Sequence, residues 1–311
     1  MKILVTGATG FVGQALLGEL GRRGHRVIPA VRRIVGLPHE VLVPDMSAQA
    51  DWCAALTGCN AVVHLAARVH VMRDDTADPL AEFRRVNVEG TLNLARQAVA
   101  AGVRRFVYIS SIKVNGESGI YCERDDPAPQ DAYAQSKMEA ENGLMALARS
   151  TAMEVVIIRP PLVYGPGVKG NFAALVRWVR RGVPLPLGAV ENQRSLVALD
   201  NLVDFMALCV DSGRSPLAAN EIFVISDGED VSTAALLRRV ARVYGAKARL
   251  LPVPPGWLRF GARILGKAAA ADRVLDSLTV DSSKARDLLG WRPMVTMDDQ
   301  LRKMALHDTD I

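Results

Sequence analysis

Aromatic side chains make up only 5% of the 311 residues, and the 38 lysines and arginines are spread along the chain rather than gathered into a stripe. Binding of single-stranded nucleic acid needs stacked rings over a basic groove. A nucleic-acid partner is therefore not expected, in spite of a net charge of +5. A positive field suits a small anionic substrate equally well. The four cysteines (Cys53, Cys59, Cys122, Cys209) have no metal-ligand spacing and no Cys-x-x-Cys pair. They read as lone buried thiols of a cytoplasmic protein, with no metal site. No run of about 18 apolar residues occurs, so no membrane span is expected. The apolar start MKILVTGATGFVG is broken by Gly7, Gly10 and Gly13, and reads as a buried strand feeding a helix rather than a signal peptide. Repeats and low-complexity tracts are absent too.

What is present is alternation. Short apolar runs (KILVTG, RVIPAV, EVLVPD, AVVHLAA, RRFVYISS, EVVIIRP) are separated by stretches of helical periodicity at 11–23, 80–101 and 131–149. Nearly continuous apolar strands between helices imply a parallel sheet covered on both faces. After Pro160 the Gly/Pro-rich PPLVYGPGVKG marks a junction, and later residues are mostly helical. The expected architecture is α/β: a doubly wound parallel Rossmann sheet from 1–165, rejoined by 194–227, and a smaller, mostly helical substrate lobe from 166–193 and 228–311.

TGATGFVG sets Gly7, Gly10 and Gly13 between the first strand and the first helix. Glycine permits the tight turn and lets backbone approach a pyrophosphate, while the helix start offers free N–H groups and partial positive charge. Thr9, Phe11 and Val12 belong to the same turn. Dinucleotide folds that take NAD commonly end the second strand in an acid that holds the adenosine ribose. That acid is missing from HRVIPAVRR (25–33), which offers Arg32 and Arg33. A guanidinium pairs with a 2′-phosphate where a carboxylate would repel it, so NADP(H) is favoured over NAD(H). Further along, YAQSK places Tyr133 and Lys137 one turn apart on one helix face. An ammonium there, together with a positive nicotinamide, would lower the phenol's usual pKa of about 10 and make it an acid–base group at neutral pH. Ser110 and Ser111 close the strand RRFVYISS at its C-terminal end, where doubly wound sheets bind ligands.

The Gly-x-x-Gly-x-x-Gly turn, the Tyr-x-x-x-Lys pair and the strand-end serine together resemble the short-chain dehydrogenase/reductase superfamily. Length, RPPLVYGPG from Arg159, RSLVALDNLVD from Arg194 and LLGWRP from Leu288 resemble its extended branch, the NAD(P)-dependent nucleotide-sugar epimerases, dehydratases and 4-keto-reductases. The resemblance implies catalysis by Ser111, Tyr133 and Lys137. It adds Asp45 and Met46 beside the adenine, Leu65, Ala66 and Ala67 over the cofactor, and Asn87, Ser110 and Pro160 nearby. His64 reads as a core histidine. For the sugar nucleotide, UDP-linked by the same resemblance, Ser111, Lys113, Tyr133, Asn171, Arg194 and Arg273 are the candidates, with Asn171 opening a helix. Dehydratases of the branch carry an acidic pair where this chain has Ile112 and Lys113. Its 4-epimerases usually carry an Asn where this chain has Leu162. The expectation is a 4-keto-reductase of a UDP-4-keto-6-deoxy-hexosamine for surface polysaccharide, with a UDP-hexose 4-epimerase retaining NAD as alternative. A non-catalytic NADP(H) sensor is a third reading, disfavoured because Tyr133 and Lys137 are both present. The branch also implies a homodimer.

Overall fold

A computed structural model describes residues 1–43, 45–69 and 78–309. Among the described residues the strands run in chain order: β1 (Lys2–Thr6), β2 (Arg26–Val31), β3 (Val41–Leu42), β4 (Ala61–His64), β5 (Arg105–Ile109), β6 (Gly119–Tyr121), β7 (Glu154–Arg159), β8 (Leu162–Tyr164), β9 (Arg194–Ala198), β10 (Glu221–Val224), β11 (Asp230–Val231) and β12 (Leu278–Val280). The helices are α1 (Phe11–Arg22), α2 (Cys53–Leu56), α3 (Pro79–Phe83), α4 (Thr91–Ala100), α5 (Ala132–Ser150), α6 (Gly170–Arg180), α7 (Leu199–Cys209), α8 (Thr233–Val243), α9 (Pro255–Ile264), α10 (Ala268–Leu275), α11 (Ser283–Leu289) and α12 (Met297–Thr309).

Seven strands form one sheet in the order β10-β7-β5-β4-β1-β2-β3, every pair parallel. Successive side chains of each strand point to opposite faces. Ile3, Val5, Val63, Val107, Val156 and Ile158 pack on one side with α1 and α7, whereas Leu4, Val62, Phe106, Val155 and Ile157 pack on the other with α4 and α5. Two buried faces are why these strands read as unbroken apolar runs rather than as alternation. The third strand is shorter than the expected 40–45, and Pro44 in it lies outside the described residues.

The expected helix over 80–101 is present but not uniform. It runs as α3, a π-helical turn at Arg84–Gly90, and α4. Gly90 is needed there, since a Cβ would stand 2.2 Å from the carbonyl oxygen of Met46.

Beyond Pro160 a second, smaller sheet joins β11, β9, β12 and β6, with β8 paired to β9. Helices α6, α8 and α12 pack around it through Tyr164, Phe172, Val176, Leu237, Val240 and Leu301. Of residues 194–227, β10 enters the large sheet and α7 packs beneath it, while β9 lies in the small one. Strand β6, from the first half of the chain, pairs parallel with β12 in the small sheet and so ties the two halves together. Two of the four cysteines, Cys59 and Cys209, are buried as expected; Cys53 is exposed and Cys122 half-buried, a correction to the reading of all four as core thiols.

Candidate active site at the C-terminal edge of the sheet

The turn after β1 is built by glycine. Gly7 sits at φ +67°, and a Cβ on it would come within 2.8 Å of Ala66 N; a Cβ on Gly13 would come within 2.2 Å of Gly7 O. The turn is thereby pressed against Leu65 and Ala66 after β4. Gly10 caps α1 with no side-chain hydrogen bond, so the N–H groups of the first turn, Phe11 and Val12 among them, remain open to an anion.

Thr6 and His64 weld β1 to β4 under this turn. Thr6 Oγ1 accepts from the N–H groups of Leu65 (3.2 Å) and Ala66 (3.1 Å), so its own proton goes to His64 Nδ1 at 2.7 Å. His64 Nε2–H then donates to Thr91 Oγ1 at 2.9 Å. Both ring nitrogens are spoken for. Burial, with the Lys137 charge adding, pushes the His64 pKa down to about 3. It is a neutral structural residue. Unfolded, it would titrate near 6.5, so the unfolded chain binds the extra proton between about 3 and 6.5 and stability falls as pH drops through that window. His64→Gln is expected to make the stability-versus-pH slope near pH 5 shallower by about 1.4 kcal/mol per pH unit in urea denaturation; an unchanged slope would contradict the assignment.

Asn87 stands buried in the π-helical turn. Its Oδ1 accepts from Arg68 N (2.8 Å), and its Nδ2 donates to Arg68 O (3.0 Å) and Ser136 Oγ (3.0 Å). Ser136 in turn donates to the carbonyl of Tyr133 at 2.7 Å. This relay fixes the strand-end segment Leu65–Val69 relative to the start of α5. A π-turn that aims one polar side chain inward is a common device near functional sites.

Helix α5 starts where Asp131 Oδ1 accepts from Ala134 N at 2.7 Å, a side-chain cap. That start sets Tyr133 and Lys137 toward the C-terminal end of β5. Lys137 is buried, donates to the carbonyl of Ile109 at 2.6 Å, and holds its ammonium 4.1 Å over the Tyr108 ring. Burial lowers its pKa to about 7, with Glu141 pulling the other way. Tyr133 rests edge-on against Phe83, ring centroids 6.2 Å apart. Its pKa is raised to about 12 by burial, with the Asp131 charge adding. In the protein without cofactor the phenol thus stands above its ordinary value, the direction opposite to the one expected from Lys137 and a positive nicotinamide together. Ser111, at the end of β5, caps a short 3₁₀ turn by accepting from Lys113 N at 3.3 Å. Ser110 Oγ beside it is buried without a hydrogen-bond partner, and Pro160 is buried at the end of β7, its carbonyl accepting from Ile112 N at 3.0 Å.

The glycine cradle, the uncapped helix start and the orphaned Ser110 hydroxyl fit a dinucleotide. The family model described as NAD dependent epimerase/dehydratase matches residues 3–226. The chain belongs to that family. A Vibrio cholerae protein named UDP-glucose 4-epimerase is 45% identical, over 98% of this chain and 94% of its own length. MoeE5, solved with UDP-glucuronic acid and NAD, is 25% identical and superposes with a TM-score of 0.77, covering 100% of this chain and 99% of that one. UDP-N-acetylglucosamine 4-epimerase from Bacillus cereus shares the fold, with a TM-score of 0.81, 22% identity and 98% of each chain covered.

In this epimerase/dehydratase chain, Arg32 and Arg33 are exposed directly after β2 and form no ion pair with a described residue. Asp45 is exposed, accepts from Met46 N at 2.7 Å and lies 3.7 Å from Arg85. Three of the substrate candidates come together: Lys113 binds Glu117 and Asp131 at 2.6 Å each, and Arg273 lies 4.0 Å from Glu117. Arg194 joins them, donating to the carbonyl of Asp276 at 3.2 Å and feeling the Glu117 charge. Asn171 does not join them. It is the second residue of α6, after the cap Lys169, and is exposed, so the expectation that it opens the helix is corrected. Glu117 was missed from the sequence: its partners lie 4 and 156 residues away, and only folding assembles them. Asp131 carried a local signal, an acid immediately before a helical run. Among the described residues no His/Cys/Asp/Glu group could hold a metal, and no helix is long and apolar enough to cross a membrane.

Proposed function

We propose that the chain is a UDP-hexose 4-epimerase, acting on the C4 carbinol of a nucleotide-linked sugar with retained NAD. The observation that carries this is the 45% identity to the Vibrio cholerae UDP-glucose 4-epimerase over nearly the full length. The geometry supports it. The backbone of Gly7, Gly10 and Gly13 and the start of α1 would hold the pyrophosphate of a dinucleotide, and Leu65, Ala66, Ala67, Asn87, Ser110 and Pro160 are the further residues that would contact it. When bound, the oxidised nicotinamide supplies a hydride acceptor and a fixed positive charge. Tyr133 moves the proton of the C4 hydroxyl, and burial with the Asp131 charge keeps that phenol protonated at neutral pH in the protein alone. Ser111 Oγ donates to the oxygen on C4 as it loses its proton. Lys137 holds the ribose and steadies the phenolate. Lys113, Arg194 and Arg273 face the diphosphate. The subunit pairs through its α4 and α5 faces into a homodimer.

A second reading, an NADP(H)-dependent 4-keto-reductase, is favoured by two specific features. Arg32 and Arg33 are exposed and unengaged where an NAD-binding acid would stand, and Leu162 takes the place of the 4-epimerases' Asn. The two separate cleanly. Denaturing the purified protein is expected to release stoichiometric NAD, and the enzyme to interconvert UDP-glucose and UDP-galactose, or their N-acetyl forms, without added cofactor. No retained cofactor, together with NADPH oxidation on a UDP-4-keto-sugar, would establish the reductase instead. In that case Arg32→Asp is expected to raise the Kd for NADPH at least about tenfold, since a charge-assisted pair contributes about 1.5–3 kcal/mol, while NADH affinity holds.

A further inference from the structure

Helix α9 is a three-turn helix with no buried residue. Trp257, Phe260 and Ile264 are 77%, 68% and 70% exposed. At 3.6 residues per turn they fall within about 60° of one another around the axis. Leu265, at the end of the helix, and Leu251, just before it, are exposed as well. A contiguous patch of large apolar side chains on a water-facing surface marks something that covers it.

The charge around the patch says what. Residues 246–271 contain Lys247, Arg249, Arg259, Arg263 and Lys267, and no Asp or Glu. Arg259 is turned back toward Asp272 and Asp276 of the α10 region. Lys247, Arg249, Arg263 and Lys267 are exposed and form no ion pair with a described residue. The patch alone is a strip of about 15 by 10 Å, far short of the ~800 Å² per partner that a stable protein interface buries. Trp, Phe and Ile along one stripe with basic residues flanking it is instead the composition of a helix that lies in the plane of an anionic bilayer.

We propose that α9 docks the protein peripherally on an anionic membrane surface, with Trp257, Phe260 and Ile264 in the headgroup layer and Arg263, Lys267, Lys247 and Arg249 against the lipid charges. The enzyme then works beside a bilayer without spanning it. This does not depend on which sugar is processed.

The full-length protein is tested by co-sedimentation with phosphatidylcholine vesicles, with and without phosphatidylglycerol. Binding is expected to the anionic vesicles only, and to weaken in 1 M salt, where the Debye length is about 3 Å. The double variant Trp257→Glu/Phe260→Glu is expected to bind at least about tenfold more weakly, and Arg263→Glu/Lys267→Glu to lose the preference for anionic lipid. Both change exposed residues outside the active site, so turnover and circular dichroism are expected to match the parent. Absence of parent binding to anionic vesicles overturns the proposal, as does equal binding by the double variant. Self-association abolished by Trp257→Glu/Phe260→Glu, with no lipid binding by the parent, overturns it in favour of a second copy as the occupant.

Discussion

Tyr133→Phe is expected to lower turnover about 1,000-fold, or about 4 kcal/mol in the barrier, while leaving the fold intact. The substitution deletes one oxygen that makes no hydrogen bond with a described residue. Its ring keeps the edge-on contact with Phe83, so the stability change should stay within about 0.5 kcal/mol. Activity and stability therefore separate, which they would not do for a core residue. The pH dependence gives a second handle. In the cofactor-free protein the Tyr133 pKa is pushed up to about 12 by burial and Asp131, so the phenol is protonated at neutral pH. Asp131→Asn removes the second of those causes and should shift the limb on which rate rises with pH to lower pH, in the direction that oxidises the carbinol. Asp131 also caps α5 through Ala134 N, and Asn can keep that bond. Turnover by Tyr133→Phe within a few fold of the parent would remove the phenol from the mechanism.

The parts of the site that a linear reading could find are those written within one turn or one loop. Three glycines at fixed spacing and a Tyr-x-x-x-Lys repeat are local, and the structure puts them where a strand-to-helix turn and a helix face require. The charge balance of the site is not local. Lys113 and its partners Glu117 and Asp131 lie within eighteen residues of one another, but the reach of Glu117 to Arg273 joins segments that β6 and β12 pair across more than half the chain. The direction of the Tyr133 shift was missed for the same reason. A sequence shows that a lysine is adjacent, but not that Lys137 is buried and Tyr133 half-buried, and here desolvation is the larger cause for each. Helix α9 is the opposite case: Trp257, Phe260 and Ile264 have the spacing of a core-facing stripe, yet they are among the most exposed large apolar side chains of the described residues.

Glu141→Leu is expected to cost about 3–5 kcal/mol of stability, the largest loss of any single change to the fold around the site. Arg159 ends β7 and Glu141 lies on α5 one turn beyond Lys137; their side chains are 3% and 2% exposed. The guanidinium donates to both carboxylate oxygens, at 2.6 Å from Nη2 and 3.1 and 3.2 Å from Nε, and through Nη1 to Asn115 Oδ1 at 3.0 Å. Removing the carboxylate leaves a buried cation with one neutral partner, and the desolvation penalty is then uncompensated. Urea denaturation should show the full loss, with the midpoint falling at nearly constant m. The double variant Glu141→Leu/Arg159→Met replaces both charges with apolar groups of similar size and is expected to recover most of it, because an intact buried pair contributes little beyond its own desolvation. It also isolates an electrostatic consequence for the site. Glu141 is the group that holds the Lys137 pKa up against burial, so a refolded double variant should carry a Lys137 that loses its proton at still lower pH. The limb of the rate profile governed by Lys137 should move to lower pH in the double variant without returning the stability loss. A double variant as unstable as Glu141→Leu alone would mean that the pair is held by packing rather than by compensation of its charges.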